Sequence, residues 1–156
     1  MSFPKGCEPS QIIPEEIKKW LEMENLKYTQ VVGECARKTL FNYHVVLPSG
    51  TSINVFQPSS KKDSICISTG LVFGDVLNNK LNQKTKIERE EIFSELRFKL
   101  ASVDVEFNFT NGDLPKRLEI HHPIYYDGLS RDRFFKAIST VYKAFNLANW
   151  VLRKSV

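Results

Sequence analysis

The chain carries three histidines, and two of them, His121 and His122, are adjacent. Imidazoles ligate metal ions and move protons near neutral pH, so this pair is the first place to look for chemistry. Its surroundings argue against convergence. Leu118, Ile120, His122 and Ile124 alternate with Arg117, Glu119, His121 and Pro123, the two-residue period of a strand. Neighbours in a strand point to opposite faces, so the two rings do not meet on one ion, and His44 can join either only across a sheet. All three read as strand histidines with ordinary partners.

Tyr125-Tyr126-Asp127-Gly128 sets a phenol beside a carboxylate in a link between strand and helix, where function often resides. No nucleophile or phosphate cradle accompanies it, so Gly128 reads as the residue that permits the turn and Asp127 as a helper in capping the next helix. Gly70 and Gly74 bracket Leu71-Val72-Phe73, but neither GxGxxG nor GxxxxGK[ST] occurs, which excludes a P-loop. Cys7, Cys35 and Cys66 are odd in number and widely spaced; they fit neither a disulfide framework nor a zinc site and read as reduced thiols. No catalytic residue, metal, cofactor or small-molecule ligand is assigned.

Basic residues fall in pairs: Arg37-Lys38, Lys61-Lys62, Lys116-Arg117, Arg131 with Arg133, and Arg153-Lys154. Beside an open sheet face bearing Tyr28, Phe41 and Tyr43, such pairs would suit single-stranded nucleic acid. Lys and Arg total 22 against 18 Asp and Glu, a net charge of +4, too weak to favour that reading by itself.

The elements that must position these groups follow from periodicity. Within 156 residues, 42% hydrophobic and 26% charged, there is material for one ordinary domain with its own core. Residues 1–12 read as a poorly ordered lead-in. Pro14-Glu15-Glu16 suits the first turn of a helix, and Ile13, Ile17, Trp20 and Leu21 form its apolar stripe, fading near Asn25. Two-residue alternation then takes over from Leu26. Phe41, Tyr43, Val45 and Leu47 share a face, Pro48-Ser49-Gly50 turns the chain, and strands follow at Thr51–Phe56 and Ser64–Phe73. One long helix is expected over Asp75–Ala101, with Ile92, Phe93, Leu96 and Leu100 inward. Val103, Val105, Phe107 and Phe109 alternate in a further strand, Asn111-Gly112-Asp113 turns, and Lys116–Tyr125 returns. Ser130 is positioned to cap a last helix running to Trp150. The start Met-Ser-Phe-Pro-Lys-Gly-Cys shows no signal-peptide core, and no apolar run approaches bilayer length, so a cytoplasmic protein is expected.

Several phrases carry a family likeness: Trp20-Leu21, Tyr43-His44-Val45-Val46-Leu47-Pro48-Ser49-Gly50, Lys61-Lys62-Asp63-Ser64-Ile65, Ile124-Tyr125-Tyr126-Asp127-Gly128-Leu129-Ser130 and Phe134-Phe135-Lys136-Ala137-Ile138. Together they resemble an uncharacterised archaeal family with the fold of type III secretion chaperones and their YbjN-type relatives. The resemblance implies helices packed on a twisted antiparallel sheet and supplies no catalytic residue.

The sequence therefore predicts an α+β domain, an antiparallel sheet of five to six strands with three helices in the order α-β-β-β-α-β-β-α. The expected function is non-enzymatic: a protein-interaction or chaperone-like module, binding a protein partner or forming a homodimer. Phe41, Tyr43, Phe107 and Phe109 are the residues expected at that surface. The alternative is a nucleic-acid-associated protein using the paired cations and sheet aromatics. No membrane association is expected.

Overall fold

The computed structural model describes residues 9–33 and 38–156. Cys7, Cys35 and Arg37, and the first eight residues of the expected lead-in, lie outside them. Four α-helices and a six-stranded sheet follow one another as α1 (Pro9–Met23), β1 (Lys27–Gln30), β2 (Thr39–Val46), β3 (Ser52–Pro58), β4 (Ser64–Val72), α2 (Asp75–Asn82), α3 (Lys86–Ala101), β5 (Glu106–Phe109), β6 (Arg117–Tyr125) and α4 (Arg131–Ser155). The strand order is β1-β2-β3-β4-β6-β5. Pairing is antiparallel in β1 with β2, β2 with β3, and β5 with β6. Between β4 and β6 the bond from Phe73 N–H to Lys116 O, 2.9 Å, and that from Tyr126 N–H to Asp63 O, 2.8 Å, fix the same sense. The α+β antiparallel architecture read from the sequence is the one observed.

Two differences concern helices. α1 begins at Pro9, five residues before Pro14, so Pro14 lies inside the helix and not at its first position. Only a few positions into the helix, its missing N–H forfeits a single early backbone bond. The stretch expected as one helix over Asp75–Ala101 is two, α2 and α3, which makes four helices in place of three. The break is chemical. Thr85 caps α3, its side chain accepting from Glu88 N–H at 3.2 Å while the Glu88 carboxylate accepts from Thr85 N–H at 2.7 Å. Together these form a capping box. Arg89 closes the end of α2 from the other side, Nη1 donating to Leu81 O at 3.4 Å and to Lys84 O in the connecting link at 2.8 Å.

The described residues divide into two compact units, one comprising 9–33 and 38–67 with Pro123–Ile138, the other Ser68–His122 with Ser139–Val156. In the first unit Ile13, Ile17, Trp20 and Leu21 of α1 are buried together with Phe41, Tyr43, Val45, Ile53, Val55 and Phe134. Trp20 meets Phe134 at a ring-centroid distance of 5.6 Å. α1 stops at a left-handed residue: Asn25 has φ 53°, and Leu26 N–H reaches back to Leu21 O at 3.0 Å while Asn25 N–H reaches Glu22 O. That is the Schellman pattern, and asparagine tolerates it better than most side chains. The β2–β3 turn closes with Leu47 N–H on Thr51 O at 2.9 Å and Gly50 at φ 88°.

In the second unit Leu81, Ile92, Phe93, Leu96 and Leu100 of α2 and α3 are buried with Leu118 and Ile120 of β6. The alternation continues into β5, where Glu106 and Asn108 are exposed and Phe107 and Phe109 half-buried. A threonine closes the β5–β6 hairpin: Thr110 Oγ1 accepts from Lys116 N–H at 2.8 Å and Arg117 N–H at 3.2 Å.

Candidate functional site

The residues singled out by chemistry resolve one by one. β6 sends His121 and His122 to opposite sides as its period requires. His121 Nε2 lies 3.8 Å from Glu119, whereas His122 Nδ1 is 2.7 Å from the carbonyl of Asp104. His44 stands opposite Asn54 and Thr29 in the first unit's strands. Among the described residues, no three His, Cys, Asp or Glu side chains are grouped to hold a metal ion. Arg117, also on β6, reaches Glu119 at 3.5 Å and lies flat over Gly70, where an added Cβ would fall 2.5 Å from the guanidinium.

Tyr126 is buried, and its hydroxyl donates to Oε1 of Gln57, a fully buried amide. Gln57 in turn donates through Nε2 to Lys61 O at 3.1 Å. The chain ties the strand-to-helix link to the Pro58–Asp63 turn. Burial, reinforced by the nearby Asp63 charge, pushes the Tyr126 phenol up to about 12. Its hydroxyl, engaged by the Gln57 amide in the interior, ties these two segments together. Tyr125 and Asp127 beside it are exposed. Ser130 caps α4 as its position suggests, its Oγ accepting from Arg133 N–H at 3.2 Å.

The aromatic residues expected at an interaction surface divide by unit. Phe41 and Tyr43 are buried beneath α1, with the Lys18 ammonium 5.7 Å from the Tyr43 ring centre. Burial is also the main reason the Tyr43 phenol is raised above its ordinary value. Neither ring is presented to a base. In the second unit Phe109 packs edge-on against Phe93 at 5.6 Å, with Arg97 4.9 Å from its ring centre; Phe107 stands beyond it at 6.3 Å. The paired cations are partly engaged as well: Arg131 bridges to Glu24 and Arg117 to Glu119.

Sequence periodicity passed over a different set. Val72 on β4, Val76 on α2, Ile87 and Phe98 on α3, and Trp150 on α4 are all strongly exposed, Phe98 at 80% and Val76 at 72%. All five belong to the second unit; Met23, Val32, Leu40, Val46 and Tyr125 are exposed in the first. Ile87 and Phe98 fall opposite the Ile92–Phe93–Leu96–Leu100 stripe of α3; each is an apolar residue at a position the helical period reserves for polar ones. That mismatch is legible in sequence, but only once α3 is separated from α2.

Among the hollows of the described residues, two in this unit bear on these side chains. One, of about 320 Å³, is lined by Lys86, Arg89, Glu90, Arg97 and Asp113 among others. Four of these charges are engaged in place: Arg89 donates to the last turn of α2, Arg97 covers Phe109, and Lys86 lies 3.9 Å from Glu90. The other, of about 400 Å³, runs between α2 and the end of α4, with Leu71, Val72, Val76 and Leu152 in its lining and Lys80 and Arg153 at its flanks.

Residues 13–152 match a family described as an uncharacterized conserved protein (DUF2299). The chain belongs to that family. A crystal structure of an uncharacterized protein from Methanothermobacter thermautotrophicus is similar at TM-score 0.82 and 28% identity, covering 93% of this chain and 97% of that one. A chain of the ExsC–ExsE complex matches at TM-score 0.56 and 9% identity over 93% of this chain and 97% of its own. At that identity the likeness shows a shared secretion-chaperone-like fold and no more. A search of the curated proteins finds no match. Among the described residues no helix is long and apolar enough to cross a membrane.

Proposed function

We propose that this DUF2299 protein is a non-enzymatic, chaperone-like interaction module that holds a protein partner, or a second copy of itself, through apolar surface on its second unit. The observation that carries the reading is the exposure of Val72 and Val76 in the lining of one apolar hollow of the second unit. Scattered single apolar residues need no explanation, and exposed ones are as many in the first unit; what favours the second is that Val72 and Val76 line one apolar hollow with Leu71 and Leu152. Phe107 and Phe109, half-buried on edge strand β5, are further candidate contact residues, whereas Phe41 and Tyr43 are buried in the first unit. The fold it shares with ExsC, solved in complex with ExsE, supports the same reading.

Two measurements on one preparation test it. Sedimentation velocity over the micromolar range reads self-association, and light scattering reads suppression of aggregation of a diluted, denatured reporter protein. Concentration-dependent association or suppression at near-stoichiometric amounts is expected. A strict monomer that leaves the reporter's aggregation unchanged would overturn the reading.

A further inference from the structure

We propose that the hollow between α2 and the C-terminal turns of α4 is a docking groove for a short acidic amphipathic helix of a partner protein. The inference rests on the interaction-module reading and narrows it to one surface and one ligand chemistry. The floor is apolar: Leu71, Val72, Val76 and Leu152 contribute, and Val72 and Val76 are 66% and 72% exposed in the absence of an occupant. Trp150, 66% exposed, does not line the groove; it follows Asn149 on α4, on the side of the helix next beyond Arg153. A groove between two helices, apolar at its base, is the geometry in which an amphipathic helix buries its stripe.

Charge decides which helix. Lys80 and Arg153 flank the groove, and among the described residues neither makes an ion pair. Each sits in the last turn of its own helix. The helix end offsets about half an elementary charge, so each cation leaves a positive surplus facing the groove. Carboxylates along the margins of an incoming apolar stripe would complete both. Length follows from α2, whose eight residues give a groove wall of about 12 Å. That accommodates apolar anchors spread over about two turns. The acidic–apolar face of α3 in a second copy fits less well, because Ile87 and Phe98 are three turns, roughly 16 Å, apart.

The probe is a synthetic, fluorescein-labelled helical peptide with leucines at i, i+4 and i+7 and glutamates flanking them, read by anisotropy. A matched peptide carries lysines in place of the glutamates. The acidic peptide is expected to bind about tenfold more tightly than the basic one, to weaken with salt, and to shift Trp150 emission to the blue; Trp150→Phe removes the shift. Lys80→Glu with Arg153→Glu is expected to invert the preference, and Val76→Asp to abolish binding. All three sites are exposed, so circular dichroism should show the fold intact. Equal affinity for the two peptides, or a preference that survives the charge reversal, would overturn the assignment. So would association of the chain with itself that only the reversal disrupts, or binding to anionic vesicles without the peptide. If the peptide fails while reporter suppression persists, the groove assignment falls and the interaction reading stands. If both fail, both fall.

Discussion

At the scale of single residues, the most constrained polar contact is the one between Tyr126 and Gln57. Removing the phenolic hydroxyl leaves the Gln57 carbonyl buried without its donor, a loss of about 1–3 kcal/mol. Tyr126→Phe should therefore lower the urea midpoint measurably, whereas Tyr125→Phe, at an exposed site, should leave it in place. The titration has a definite sign. The folded phenol is raised to about 12 from its ordinary value of 10.0, so between those limits the native state holds a proton that the unfolded chain has released. Stability should fall as pH rises through that window, with a slope of at most about 1.4 kcal/mol per pH unit. Tyr126→Phe should flatten that part of the stability profile. The dipeptide Tyr125-Tyr126 gives no sign of which ring is buried: strand alternation ends at Tyr125, and the single 3-10 turn Tyr126–Gly128 decides it.

At the scale of elements, the strands were legible because a half-buried sheet writes its period directly into the chain. Phe41, Tyr43, Val45, Ile53, Val55, Leu118 and Ile120 all lie on the buried side their alternation assigns. Helix ends were less so. Pro14 offers every local feature of a first helical position, and only the residues before it, beginning with Pro9, show that the helix is already under way. The α2–α3 break was written in the sequence as Thr85-x-x-Glu88, but the continuous charge across Lys84–Glu91 suggested one solvated helix face. Thr85→Ala should cost about 0.5–2 kcal/mol by removing the cap, seen as a lower denaturant midpoint with unchanged m. Backbone donation from Thr85 holds the Glu88 carboxyl below its ordinary range. Its contribution is present above the unfolded value and declines as pH falls through the folded one, and Glu88→Gln should remove that acid dependence. In the core, Phe134→Ala deletes a fully buried ring that meets Trp20. A loss of about 3–5 kcal/mol is expected there.

At the scale of the whole molecule, β4, β6 and α4 each contribute residues to both compact units. An element that is half in one unit and half in another unfolds with both, so we expect one cooperative thermal transition, superimposable by near-ultraviolet and far-ultraviolet dichroism. Separated transitions would show that the units are independent domains. Function was the least legible layer, for a physical reason. Metal sites and nucleotide cradles need particular residue types at fixed spacing, but a docking surface needs only apolar side chains that the fold declines to bury. Which ones those are depends on packing, and Val72, Val76 and Trp150 look like core residues until the helices are in place. The central claim is that these exposed side chains hold a protein partner. It is tested most directly by comparing the wild-type chain with a Val72→Ser, Val76→Ser, Trp150→Ser variant in suppressing aggregation of the denatured reporter. The variant should melt at the same temperature and lose the suppression; equal suppression by both would contradict the account.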